Sequence, residues 1–444
     1  MEDVLMRNFI RETKNKCLIY DGSKGYMLQK AGMKGGECPE LWNADHSDEV
    51  REIYAMYRDA GSDVIQTNTF QGNRLVLEKY SLGDRVYELN HKAAVLAREV
   101  MGTKGYVAAS IGPTGQLMEP SGELTFQMAY DVFKEQVQAV VDGDVDIINF
   151  ETFTDLSELR AALLAAKDIT DIPIICNIAF EFNGKTLMGT SPYIAGVVLK
   201  SLGADMIGAN CSFGPEHMIK VIQEMSQAGG IYLCAKPNAG LPEVIDGQVV
   251  YSQSIKEFAQ FAGEFAKYGV KLIGGCCGTT PEYIKALKSA LAGTEITTAN
   301  AETIQLITSG VKVMNVEQLG RDNTSRVNAA DDSELRSILE QGNYDEIDDV
   351  ALEIASGGYD AVYINVDCAD CDESALMNVI NRIQWYVKEP FVIETANPAA
   401  LDKALRVYRG KAGVVVDGNG SGNITELLEV ARKYGSTVIR KNQI

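Results

Sequence analysis

The chain has 444 residues, 46% of them hydrophobic and 23% charged, which is a globular composition too long for one ordinary core, so two domains are expected. A formal net charge of −20 excludes a nucleic-acid binder, which needs a basic face, and no apolar run reaches the length of a membrane span. The first residues lack the charged-then-apolar order of a signal peptide, and the nine cysteines are odd in number and scattered, so the expected setting is reducing and cytoplasmic rather than secreted.

Taken in chain order, short apolar runs alternate with helical periodicities over the first 290 or so residues. The runs are Cys17–Gly22, Asp63–Asn68, Tyr106–Gly112, Asp146–Glu151, Pro173–Phe180, Asp205–Cys211, Tyr232–Asn238 and Lys271–Cys277. Between them lie helical patterns such as Ser47–Ala60, Leu124–Val141, Ser157–Lys167 and Ser254–Tyr268. Near-continuous apolar strands fit a parallel sheet covered by helices. Strand–helix units repeated to this number, without a reversal of order, predict an α/β fold with an N-terminal TIM (β/α)8 barrel over residues 1–295. An open doubly wound sheet is the alternative. A small, polar stretch over 296–310 reads as a linker. Residues 311–444 read as a smaller α/β domain with helices at Ser333–Gln341, Asp345–Ser356, Glu373–Val387, Pro398–Arg409 and Ile424–Tyr434. Its strands are placed just before Val316 and at Ala361–Asp367, Phe391–Thr395, Gly413–Asp417 and Ser436–Arg440, about half the units of a barrel.

Chemistry in a TIM barrel sits at the carboxyl ends of the strands. Cys211 ends the sixth run, and Cys276 and Cys277 end the eighth between Gly275 and Gly278. These ends lie roughly 10 Å apart at about 4.8 Å per strand, within reach of one metal. Neighbouring strand residues point to opposite faces, so both Cys276 and Cys277 reach a metal only if the backbone turns there, and the glycines permit that. The alternative is that the three are small buried hydrophobes. Three thiolates with one open position suit zinc and an incoming thiol substrate, which zinc converts to a nucleophilic thiolate; this favours alkyl transfer to sulfur over hydrolysis. The three histidines, His46, His91 and His217, end no convincing strand, so a Ser-His-Asp or His-ligated metal site is not expected. Other strand ends are polar: Asp21-Gly22-Ser23-Lys24-Gly25, Thr67-Asn68-Thr69-Phe70, Ile111–Gly115, Asn149–Thr152 and Pro237–Gly240. Singly each is a helix cap or tight turn; together they ring one rim and suit a small zwitterion. Cys368-Ala369-Asp370-Cys371 is a C-x-x-C that reads as redox-active, as half a metal site, or as chance. Asp417–Asn423 is a glycine-rich loop, either anion-cradling or plain.

The stretches Asp21-Gly22, Thr67–Phe70, Ile111–Gly115, Glu151-Thr152, Asn210-Cys211, Pro237–Gly240 and Gly274–Thr280 resemble the homocysteine S-methyltransferase family over roughly residues 10–292. That family includes the homocysteine module of cobalamin-dependent methionine synthase and betaine–homocysteine methyltransferase. The resemblance implies Zn2+ on Cys211, Cys276 and Cys277, homocysteine as acceptor, and methionine made by attack of a zinc-bound thiolate on a methyl group. It implies that Asp21 and Glu151 face the substrate ammonium, that the turn at Gly22 and Ser23 faces its carboxylate, and that Asn238 supports the metal site. Ser23-Lys24-Gly25-Tyr26 departs from the family, which more often has Ala-Met-Gly-Thr. The second part is similar to the start of a pterin-binding domain through Gly342–Glu346, Asp360–Asp367, Ala396-Asn397-Pro398 and Lys433-Tyr434-Gly435. It lacks that family's Gly-Glu-Arg-x-Asn-x-Thr-Gly stretch, carries Glu394 for an Asp and Asp417-Gly418 for an Asn-Ser pair, and is truncated. It is therefore expected to lack a folate site of its own. The implied methyl donor is methylcobalamin on a separate protein, with betaine and S-methylmethionine as alternatives. The implied partners are that corrinoid protein or a subunit completing the half barrel.

Overall fold

The structure is a computed structural model that describes residues 9–245, 248–294, 304–368, 372–416 and 424–441. By spatial grouping the chain forms two compact units, Met1–Met188 with Ala204–Ala301, and Gly189–Gly203 with Glu302–Ile444. No helix among the described residues is long and apolar enough to cross a membrane.

In the first unit, strands β1 (Leu18–Ile19), β2 (Val64–Gln66), β3 (Tyr106–Ile111), β4 (Ile147–Phe153), β5 (Ile174–Ile178), β6 (Met206–Asn210) and β7 (Tyr232–Lys236) are followed by a hairpin of β8 (Pro242–Ile245) and β9 (Gln248–Tyr251), and then by β10 (Val270–Ile273). The barrel sheet has eight strands, ordered β1-β10-β7-β6-β5-β4-β3-β2. A parallel bridge from Tyr20 to Val64 joins the two ends of that order and closes the barrel. All eight apolar runs are therefore barrel strands, and every residue of β3 is buried because helices cover the outside while side chains fill the inside. One internal layer comprises Leu18, Tyr20, Val64, Ala108, Ile147, Ile175, Met206, Cys234 and Leu272, and Phe9 packs into it, with its ring 5.4 Å from that of Tyr106. Helices match the sequence periodicity at Ser47–Ala60 and Leu156–Lys167. The expected single helix from Ser254 is instead two, Ile255–Gln260 and Ala262–Lys267.

In the second unit, β11 (Leu306–Thr308) and β12 (Val313–Asn315) form an antiparallel pair. Strands β13 (Thr324–Asn328), β14 (Ala361–Asn365), β15 (Phe391–Glu394), β16 (Gly413–Val416) and β17 (Thr437–Arg440) form a parallel sheet in chain order. This departs from expectation in three ways. The strand before Val316 belongs to the hairpin, and the first sheet strand is β13, whose sequence Thr-Ser-Arg-Val-Asn has no apolar run to announce it. Strand β11 also lies within the stretch 296–310 read as a linker. One apolar face of this sheet is covered by the hairpin: Ile307, Met314 and Val316 pack on Ala361, Tyr363, Val392, Val415 and Ile439. Parallel strands in consecutive order are joined by helical crossovers, which by the usual right-handed rule lie together on one face.

Candidate metal and substrate site

The end of β7 stitches the two cysteine loops together. Cys211 N donates to Lys236 O at 3.1 Å and Cys276 N to Pro237 O at 2.8 Å, so each loop continues the ladder past the end of its strand. Cys277 N donates to Asn238 Oδ1 at 3.0 Å, and Ala239 N to Cys277 O at 2.9 Å. The chain then turns sharply at both places. Cys211 and Ser212 have φ of 63° and 62°, a left-handed conformation that costs non-glycine residues about 1–3 kcal/mol each and that clusters at functional sites. Gly278 has φ 78°, and a Cβ there would lie 2.3 Å from the Tyr251 ring, so only glycine fits. These turns bring the Sγ atoms of Cys211, Cys276 and Cys277 within 4.8 Å of one another. Those of Cys211 and Cys277 are 3.9 Å apart, against about 3.8 Å for two thiolates on a tetrahedral zinc with Zn–S near 2.3 Å. The donor set therefore fits zinc with one position left over.

The electrostatics agree with that fit. Contact with Cys276 works downward on Cys211, but contact with Cys277 and burial push its thiol up to about 11. Contact with Cys211 lowers Cys277, but Cys276 and burial push it up to about 12. Three sulfurs this close hold their protons unless a cation is present to share the charge. Asn210, buried at the end of β6, donates from Nδ2 to Cys276 Sγ at 3.7 Å and to Thr152 Oγ1 at 2.8 Å, and accepts from Thr152 N at 2.7 Å.

Beside the sulfurs lie two carboxylates, each already paired with a lysine. Glu151 on β4 meets Lys236, the last residue of β7, at 2.5 Å, with side chains only 8% and 2% exposed. Glu151 Oε1 also accepts from Gln66 Nε2 at 2.6 Å and from the Ser110 hydroxyl. Lys236 donates as well to Gln66 Oε1 and sits 4.6 Å over the Tyr20 ring. Burial works against the Glu151 charge, but Lys236 and the hydrogen bonds hold its carboxyl below the ordinary value. Burial lowers Lys236, yet Glu151 overrides it and holds the ammonium above its ordinary value. Asp21, fully buried, is bonded by Lys24 and takes Gln66 N at 2.7 Å. Here burial wins on both sides: the Asp21 carboxyl is raised and the Lys24 ammonium lowered.

The turn at Gly22 and Ser23 is held against the second cysteine loop. Ser23 N donates to Thr279 O at 3.0 Å, and Tyr57 Oη donates to Ser23 O at 3.0 Å and Thr279 O at 2.8 Å. The Ser23 hydroxyl caps the helix Lys24–Lys30 by accepting from Tyr26 N. Of the other polar strand ends, Thr67 and Thr69 share a hydrogen bond and Asn68 is tied to Pro39 O and Asn43, which are turn and anchor roles. Sequence reasoning missed Lys236, Gln66, Ser110, Asn210 and Tyr57. Asn210 stood beside Cys211 without a role of its own, and a lysine inside an otherwise apolar run was the available signal for Lys236. Cys371 and the glycine-rich loop 417–423 lie outside the described residues.

A family model described as "Homocysteine S-methyltransferase" matches residues 18–291. The methionine synthase of Mycobacterium leprae is 27% identical over 461 residues, covering 96% of this chain and 38% of that protein. That of Mycobacterium tuberculosis is 27% identical over 456 residues, with the same coverages of 96% and 38%. The chain thus spans about two-fifths of the length of these relatives. Among solved structures, the metallated form of the homocysteine methyltransferase MmuM from Escherichia coli shares the fold, with a TM-score of 0.54 and 21% identity, over 63% of this chain and 98% of that one.

Proposed function

We propose, from the premise that this chain belongs to the homocysteine S-methyltransferase family, that it binds one zinc ion and makes methionine from homocysteine. We propose further that the methyl group comes from a methylcobalamin-carrying protein supplied in trans. The observation that carries this reading is the set of three sulfurs, Cys211, Cys276 and Cys277, gathered at the carboxyl ends of β6 and β10. Bound there, zinc would supply the means to keep an acceptor thiol, with an ordinary pKa of about 8.5, ionised at neutral pH. The chain's own residues do the rest. Asn238 and Asn210 hold Cys277 and Cys276 in place. Asp21 and Glu151 offer negative charge to the acceptor's ammonium, and the Gly22–Ser23 turn is the proposed seat of its carboxylate. The sulfur–carbon bond forms as the donor–carbon bond breaks, and the acceptor proton has already left to solvent.

A protein donor is supported by the loops around the barrel mouth. Those after β3, β5 and β7 carry apolar side chains that face solvent: Leu117 is 50% exposed, Phe182 63%, Leu187 60% and Leu241 45%. Such side chains on one rim suit a protein surface better than betaine or S-methylmethionine, which need only a small pocket. On this reading residues 311–444 are a pterin-binding-like domain that docks the corrinoid partner. The test is methyl transfer to homocysteine from free methylcobalamin, a corrinoid protein, betaine and S-methylmethionine. Transfer from a corrinoid donor, weakened for the protein donor alone by Phe182→Asp, is expected. Turnover with betaine or S-methylmethionine only would overturn the donor assignment.

A further inference from the structure

The pair Asp21–Lys24 differs from its neighbour Glu151–Lys236 in exposure and in how its carboxylate is satisfied. Lys24 is 11% exposed, whereas Asp21, Lys236 and Glu151 are 0%, 2% and 8% exposed. Lys24 is the first residue of the helix Lys24–Lys30, and its ammonium lies 3.4 Å from Gly22 O and 4.8 Å from the Tyr57 ring centroid, so it stays close to the turn when it leaves the carboxylate. Asp21 uses only one oxygen: Oδ2 takes both Lys24 and Gln66 N, while Oδ1 is buried with no hydrogen-bond donor among the described residues. Glu151, by contrast, has donors on both oxygens.

We infer that the Asp21–Lys24 pair is a resident stand-in for a zwitterionic acceptor, whose ammonium replaces Lys24 on Asp21 while Lys24 turns to its carboxylate. This rests on the proposed function for the acceptor's identity and adds what selects it. The four side chains Asp21, Glu151, Lys24 and Lys236 balance to zero charge. A cationic ligand that displaces Lys24 leaves that ammonium without an anion. An anionic ligand that draws Lys24 away leaves Asp21 buried and unpaired. Only a ligand with both charges leaves every group matched, and an unmatched buried charge is strongly disfavoured. Lys24 is thus a specificity residue that enforces zwitterions by charge exchange.

The test uses thioethers, which bring no thiol to a metal: methionine, 4-(methylthio)butyrate and 3-(methylthio)propylamine, titrated calorimetrically into the full chain. Methionine is expected to bind at least about tenfold more tightly than either single-charge analogue, the scale of one lost charge-assisted hydrogen bond. Lys24→Met is expected to bring the amine analogue to within about threefold of methionine, and Asp21→Asn to do the same for the acid. If either fails to fold, Asp21→Asn/Lys24→Met, which leaves no unpaired buried charge, is expected to bind all three alike. Equal binding of the three ligands by the unmodified chain, binding of none, or unchanged ratios in Lys24→Met overturns the inference. Methyl transfer to homocysteine without zwitterion selectivity sinks this inference alone. Zwitterion selectivity with no methyl transfer to homocysteine sinks the functional reading and supports the charge exchange.

Discussion

At the scale of single residues the barrel mouth holds two kinds of polar group, and they fail differently when altered. Cys277 is one of three convergent sulfurs, so Cys277→Ala is expected to abolish stoichiometric zinc, read by elemental analysis, with little change in folding. Full zinc content in that variant would remove the site as described. Lys236→Met is expected to destabilise the chain by about 3–5 kcal/mol in a urea titration, because it strands Glu151 as an unpaired buried charge. A loss within 1 kcal/mol, roughly the scale of a surface pair, would show Glu151 to be solvated. The cysteines were legible in the sequence because two adjacent, glycine-flanked thiols at a strand end have few other uses. Lys236 was not, because its partner Glu151 is 85 positions away in the chain and only barrel closure brings them together.

At the scale of elements, near-continuous apolar runs announced all eight barrel strands, since burial on both faces removes the polar alternation that would blur them. Elements that bury only one face, or pair only within a hairpin, left no such signal. Strand β13 is half polar, β11 and β12 have three residues each, and the β8–β9 hairpin interrupts the seventh strand–helix unit. The helix Leu156–Lys167 carries a prediction of its own. Its Glu158 is buried and accepts from Thr114 N at 2.7 Å and from Thr114 Oγ1 at 2.6 Å. Burial outweighs these bonds and raises the carboxyl to about 7. The folded chain therefore binds more protons at this site than the unfolded one between its unfolded pKa, about 4.3, and about 7. Its stability falls as pH rises through that window and is level above it. Raising the pH from about 4.5 to 8 is expected to cost the native chain on the order of 2–3 kcal/mol relative to Glu158→Gln. Parallel pH profiles of the two would contradict this.

At the scale of the whole molecule, the C-terminal unit was legible as a smaller α/β domain, but the hairpin that covers its sheet was not. The sequence was read as half a barrel with a completing subunit among its implied partners, and within the chain the hairpin of β11 and β12 covers one apolar face of the sheet. Strand β13 leads into Ala329-Ala330-Asp331-Asp332, in place of a Gly-Glu-Arg-x-Asn stretch. Methyltetrahydrofolate is accordingly expected to show no binding to the purified chain at micromolar concentrations in equilibrium dialysis. A micromolar dissociation constant would restore a folate site to residues 311–444. The helix Pro192–Ser201 bears on how this protein can be cut and recombined. It comes after β5 in the chain yet groups with the C-terminal unit: Thr190 Oγ1 donates to Gly310 O at 2.7 Å, and Gly435 lies so close that a Cβ on it would sit 2.0 Å from Ser201 O. A gene truncated after codon 294 would orphan that segment, so the fragment is expected to melt lower than the intact chain or to precipitate, and an unchanged melting temperature would contradict this. By the same logic, a crossover that exchanges the C-terminal unit between relatives must carry residues 189–203 with it, so a working chimera needs two junctions inside the barrel's coding region besides the one near codon 302.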